Sequence, residues 1–460
     1  MSRWTGYFLA FMFLALGMVL LSQTTHSRST PIQQDRLYPH LGNEGYDVQH
    51  YTLDLTWDDR TDVLSGTAML EIIATENRQT FTLDFVGMSV ELIQINNQNV
   101  DFSRQGRKLT IAPSQPLIED QQFTTTIQYS GVPQPEMNSG ARTPRGWVRV
   151  PSGVYVVSEP SGAATWFPSN DHPTDKATFT FRITVPFGYQ VAASGLRQAI
   201  IENAETSTYV WEASDPTATY LATVNIGDFI EVERSGPNGL PLRSYFPNTA
   251  VGRVLSQRSD QLDEMISFFS ETFGTYPFEA YGIIVFDEFH NANEMQTLPV
   301  FNPQLVTERV MVHELAHQWF GNAVTLADWE EIWLNEGFAT YAEYLWWQHT
   351  LGQDVEVDLY TQSGYDSVSK MPPPIPPPPE NLFAISAYHR GAWTLHALRL
   401  RTGDAAFFEI LRTYFARFDD SAASTADFVE IAEEISGQNL DAFFRQWLRE
   451  AMPPPVPGLD

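Results

Sequence analysis

The hydrophobic period changes once along this chain, and the change confines it to a β-rich first half and a helical second half. From about residue 46 to 246, apolar side chains alternate with polar ones. Tyr51, Leu53, Leu55 and Trp57 make one run, Ala68, Leu70 and Ile72 the next, and Phe81, Leu83 and Phe85 a third. Phe123, Thr125, Ile127 and Tyr129 follow, then Phe179, Phe181, Ile183 and Val185. Successive side chains of a strand point to opposite faces, so a period of two predicts half-buried strands. Asn96-Asn97, Gly131 and Pro186-Phe187-Gly188 supply turns between them. No helix is predicted here. Residues 46–246 read as an all-β domain, with a last strand and linker over 235–250.

Beyond it the spacing becomes helical. Val254, Leu255, Leu262, Met265, Ile266, Phe269 and Phe273 fit one helix face, and 282–286 (GIIVF) a short strand. Helical patterns dominate from Thr307 onward: 405–418 and 425–434 are amphipathic, and 440–447 fits a last short helix. The run MPPPIPPPP at 371–379 is proline-rich, so it lacks most backbone donors and predicts a stiff loop inside this second domain, 247–460.

Charge narrows the function. The 460 residues carry 56 acidic and 27 basic side chains, a net charge of −29. Nucleic acid needs a basic footprint, so it is excluded as a partner, and anionic lipid is disfavoured. A hydrophobic fraction of 43% with 13% aromatics argues for packed cores rather than disorder. There is no cysteine, so disulfides and thiolate ligands are excluded, and any metal must be held by carboxylates and the ten histidines. Residues 7–21 are uncharged, Arg3 precedes them, and no acidic residue appears before Asp35. This predicts a signal peptide or an uncleaved N-terminal membrane anchor over 1–24, followed by a linker over 25–45. Either reading expects an extracytoplasmic protein, secreted or held at the membrane by that segment. Oligomeric state leaves no trace in the sequence.

The strongest chemical signal is HELAH at 313–317. Helical spacing places His313 and His317 one turn apart on one face, where both imidazoles can reach one metal with Glu314 beside them. Glu336 lies nineteen residues past His317, in the helical pattern WLNEGFATYAEY. Two histidines and a carboxylate with an open fourth position form the ligand type of a catalytic zinc rather than of a closed structural site. Glu343, seven residues past Glu336, lies on nearly the same helix face and could orient a ligand from behind.

HELAHQWFGN followed by NEGFATYAE resembles the M1 family of gluzincin metallopeptidases, mostly aminopeptidases. TWFPSNDHPTDKATFTFRITVP (165–186) resembles that family's N-terminal β domain, and YHRGAWTLHALR (388–399) its segment bearing a catalytic tyrosine. The resemblance implies a saddle-like all-β domain followed by a mostly α, thermolysin-like catalytic domain. It implies one Zn2+ per chain on His313, His317 and Glu336. Glu314 would be the general base, and Tyr388 would stabilise the oxyanion. Peptides would be the substrates, cleaved at the N-terminus, with Glu294 and Glu159 binding the free amine. The family's Gly-x-Met-Glu-Asn motif reads NANEMQT (291–297) here: Glu294 keeps its place, Asn293 stands for Met, and Met295 for Asn. Family members usually carry a further helical domain, so a two-domain form with a more open cleft is implied. The altered motif and open cleft keep a gluzincin endopeptidase in view. An epoxide hydrolase-like activity would need a long apolar tunnel, and a non-catalytic binding module would be expected to have lost ligands that this chain retains.

Overall fold

A computed structural model describes residues 34–137, 143–352 and 360–456. The expected signal or anchor, 1–24, lies outside the described residues, as do residues 25–33 of the expected linker. Among the described residues no helix is long and apolar enough to cross a membrane.

The alternating runs become strands whose apolar positions are buried. In Tyr46–Trp57, the side chains of Tyr51, Leu53, Leu55 and Trp57 are all buried. The strand pairs antiparallel with Leu64–Ala74 and parallel with Lys176–Pro186, Leu53 standing opposite Ala68 on one side and Phe181 on the other. These three strands form the middle of an eight-stranded sheet. Gln190–Ala193, Val224–Gly227, Gly153–Val157 and Gly146–Val150 form a four-stranded sheet, and a common apolar core contains residues from both sheets. Residues 146–150 and 153–157 do not alternate, because both faces of this sheet are covered: every side chain of Gly153–Val157 is buried. As expected, the described part of 46–246 has no α-helix.

A five-stranded sheet then crosses the expected domain boundary. Phe229–Ser235 and Pro241–Pro247 lie before it, and Ile284–Val285, Val300–Phe301 and Ala292–Asn293 after it, in that spatial order. Its far edge, Ala292–Asn293, brings Glu294 to the zinc-motif helix. The expected strand at 282–286 is only two residues long within this sheet. The helical face predicted from Val254 to Phe273 is split. A six-residue 3-10 segment, Ser256–Gln261, separates Ala250–Leu255 from Leu262–Phe273. It changes the rotation per residue, so Leu262, Met265, Ile266, Phe269 and Phe273 are buried while Val254 is 67% exposed.

Two long helices carry much of the site. Trp333–Leu351 packs on Ile385–Thr402, and they meet where Gly337 faces Gly391. A Cβ on Gly337 would lie 2.9 Å from the Gly391 backbone, closer than real contacts allow. The missing side chains therefore permit the approach that sets Glu336 beside Tyr388. The proline run 371–379 is non-helical, as expected, and is pinned where Ile375 N–H donates to the Leu448 carbonyl at 3.0 Å.

Candidate active site

The HELAH segment begins inside the helix Glu308–Ala316, capped by the Thr307 hydroxyl. His317 still has helical torsions at its C-terminal cap, so His313 and His317 share a face, their ring centroids 4.8 Å apart. Glu336 comes from the first turn of Trp333–Leu351. Its Oε2 lies 3.2 Å from His313 Nε2 and 3.6 Å from His317 Nε2. The far nitrogens are already engaged: His313 Nδ1 faces Glu343 Oε1 at 3.0 Å, and His317 Nδ1 faces the Phe320 carbonyl at 3.2 Å. Acceptors at both Nδ1 atoms favour the tautomer that leaves Nε2 lone pairs pointing inward. Burial opposes ionisation of Glu336, but with protons on the two Nε2 atoms the hydrogen bonds and charges of His313 and His317 pull its carboxyl down to about 2, and a metal that displaced those protons would take over that role.

These donors suit zinc. The ligand atoms of His313, His317 and Glu336 lie within 4.8 Å of one another; His317 and Glu336 are buried and the His313 side chain is 12% exposed. A second group, Glu294, Glu314 and His317, also converges within 4.8 Å. It contains one imidazole, whereas the first offers two pre-oriented imidazoles and an ionised carboxylate, the stronger match to catalytic zinc.

Glu343 reaches back from the helix Trp333–Leu351 to the helix that carries HELAH. It accepts from His313 and, through its other oxygen, from Arg309 Nε at 2.6 Å. Glu343→Ala is expected to lower zinc affinity 10–100-fold, because the ring loses its orienting acceptor. Competition with a metal-sensitive chelating dye measures this; unchanged affinity would leave Glu343 with no part in holding the metal.

Glu314 is buried, and its Oε2 has no hydrogen-bond partner among the described residues. Burial first, and then Glu294, pushes its carboxyl up to about 8 against the pull of His313 and His317; a bound Zn2+ would add to that downward pull. Tyr388, near the start of Ile385–Thr402, donates to Glu336 Oε1 at 2.9 Å and lies parallel to the His313 ring at 6.0 Å.

The structure also brings Glu159 to Glu294, although one comes from the β domain and the other from the five-stranded sheet. Asn293 Nδ2 donates to Glu159 Oε2 and to Glu294 Oε2, each at 3.3 Å. Its own Oδ1 accepts from Arg145 Nη1 at 2.9 Å. Asn293, the departure from the family motif, is thus a bridge between the two carboxylates. Arg145 was not anticipated. It is buried, and the charges of Glu159 and Glu294 act on it. Burial, then the charges of Glu294 and Glu336, pushes the Glu159 carboxyl well above the usual carboxylate range. Glu159 Oε1 and Glu294 Oε1 have no partner among the described residues. All these groups line one cleft of about 630 Å³, with Asn381, Phe383 and Ile385, just after the proline run, on its wall.

Comparison with known proteins agrees with this layout. The family model for the Peptidase M1 N-terminal domain matches residues 47–221, and that for the Peptidase family M1 domain matches 258–447. An M1 zinc metallopeptidase from Deinococcus radiodurans, a Glu→Ala mutant crystallised with a Tyr-Ser-Ala substrate, superposes with a TM-score of 0.85 at 33% identity, over 92% of this chain and 99% of that one. The chain belongs to the M1 family of zinc metallopeptidases. A two-domain M1 zinc metallopeptidase mutant bound to L-arginine superposes with a TM-score of 0.86 at 33% identity, over 93% of this chain and 99% of that one. Among curated relatives, a glutamyl aminopeptidase of Bitis rhinoceros is 31% identical over 64% of this chain and 33% of its own length. A leucyl aminopeptidase of Saccharolobus solfataricus is 25% identical over 87% of this chain and 53% of its own. The chain thus spans between a third and about half of the length of these two curated relatives. Within the M1 family the catalytic metal is zinc, which fits the donor set of His313, His317 and Glu336.

Proposed function

We propose that this M1 protein is an aminopeptidase that removes N-terminal residues from peptides. The observation that carries the reading is the pair of unpartnered oxygens, Glu159 Oε1 and Glu294 Oε1, beside the metal set. Buried acceptors without donors are costly, and two carboxylates together call for a cation. The α-ammonium of a peptide supplies one and brings the first peptide carbonyl to the zinc ligands. The names of the curated relatives and the peptide and amino-acid ligands of the solved ones support the same reading.

His313, His317 and Glu336 would hold the zinc, which when bound would supply a Lewis acid for the carbonyl and lower the pKa of water toward ~7. Glu314 takes a proton from the attacking water and returns it to the leaving amine. Tyr388 Oη, at the edge of the ligand set, donates to the oxyanion that develops on the carbonyl. Glu159 and Glu294, spaced by Asn293, fix the ammonium and thereby the register of cleavage.

The test compares peptides with free and acetylated N-termini, each with and without a chelator. Acetylation is expected to lower kcat/KM by about 10²–10³-fold, since it leaves buried carboxylates without their counter-charge. The chelator is expected to abolish both rates. Equal cleavage of blocked and free peptides would instead identify an endopeptidase.

A further inference from the structure

Arg309, His313 and His317 recur every four residues along one helix, so they occupy one face, with roughly 12 Å of axial rise between the first and the last. The two ends of this row carry different groups: two carboxylates with Arg145 beside them at one, and the guanidinium of Arg309, paired with Glu343, at the other. Glu294 meets His317 at one end, with Glu159 beside it through Asn293. Arg309 stands at the other end, tied to His313 through Glu343. The metal ligands lie between the two ends. Of the two described arginines lining the cleft, Arg145 is buried, whereas the Arg309 side chain is 54% exposed. Arg309 uses Nε on Glu343, and among the described residues nothing meets Nη1 or Nη2. A guanidinium held by one edge presents its other nitrogens as a fork suited to a carboxylate.

We propose that Arg309 receives the C-terminal carboxylate of a short peptide, so that the cleft reads both ends of a zwitterionic substrate of about three residues. An extended tripeptide spans about 10 Å, which fits between the two ends once the Arg309 side chain reaches inward. The inference rests on the N-terminal reading above, because the ammonium at Glu159 and Glu294 sets the origin from which Arg309 measures length. The net charge of −29 would favour a peptide amide over its free acid, so any preference for the acid must arise locally.

The test uses the zinc-loaded protein and a neutral tripeptide as free acid and as C-terminal amide, with a hexapeptide pair for comparison. The native protein is expected to favour the tripeptide acid by about tenfold in kcat/KM, mostly through KM, the low end for a charge-assisted contact at a half-exposed site. The hexapeptide pair should show a ratio near one, its carboxylate lying beyond Arg309. Arg309→Gln should bring the tripeptide ratio to about one, and Arg309→Lys should retain part of the preference. Any loss of zinc through Glu343 would slow acid and amide alike, which is why the ratio is read. A native ratio near one, or one that Arg309→Gln leaves unchanged, would overturn the proposal and leave Arg309 as a support for Glu343. An N-acetylated tripeptide tests the underlying reading separately: its rapid cleavage would remove the aminopeptidase assignment, while the acid-to-amide ratio still reports on Arg309.

Discussion

Glu314→Gln is expected to abolish peptide hydrolysis while the metal stays bound. The substitution keeps the side chain's volume and its hydrogen-bonding reach but removes its capacity to accept a proton. General-base assistance is worth ~10²–10⁴-fold, and here the same group serves both the attack and the departure of the amine. A loss of kcat toward the upper end of that range is expected, with KM changed only a few-fold. Zinc per chain, measured by atomic absorption on the same sample, should remain near that of the native protein, because the His313, His317 and Glu336 donors are untouched. The experiment also separates the two converging groups of possible ligands. If zinc were lost from this variant, the set containing Glu294, Glu314 and His317 would be the metal site. Undiminished turnover would remove Glu314 as the base.

Tyr388→Phe is expected to lower kcat by ~10²–10³-fold while raising KM far less. The oxyanion exists only after attack, so its donor acts mainly on the transition state. The same hydroxyl donates to Glu336 Oε1 in the structure, and the variant therefore frees a ligand oxygen as well. Zinc content distinguishes the two effects. A kcat loss at full zinc occupancy assigns the hydroxyl to catalysis, whereas a loss that extra zinc restores would reduce Tyr388 to a prop for Glu336.

The sequence displayed much of this arrangement where a short-range period controls it. Alternation identified the strands of the large sheet because one face of each meets the core, as with Tyr51, Leu53 and Leu55. Helical spacing identified His313 and His317 because four residues return to the same face. Other features depend on partners that arrive from far along the chain. The strand at 282–286 shrank to two residues because its length is set by its neighbours in the sheet. Val254 left the buried face because a 3-10 segment shifted the phase, and no apolar count registers that. The bridge through Asn293 joins Arg145 and Glu159 across sequence separations of 148 and 134 residues. Nothing local in TPRGWVRV points to a buried guanidinium beside two carboxylates. A hint was nonetheless present: two acidic residues proposed for one desolvated cleft ask for a cation nearby, and only 27 basic residues were available.

Arg390 sits two residues beyond Tyr388, fully buried, and spends its guanidinium on backbone carbonyls. Those of Met371, Gln446, Trp447, Glu450 and Ala451 all accept from it. Four of the five belong to the segment where the last helix, Asp441–Leu448, unwinds, and their oxygens would otherwise lack donors. That segment works as a latch, with Arg390 as its keeper, and closing it clamps the first turns of the helix that carries the tyrosine. A protease nick or a frameshift near residue 446 would leave the metal ligands in place and release the first turns of the Tyr388 helix. The damage would surface first as a catalyst that binds zinc and peptide yet turns over slowly.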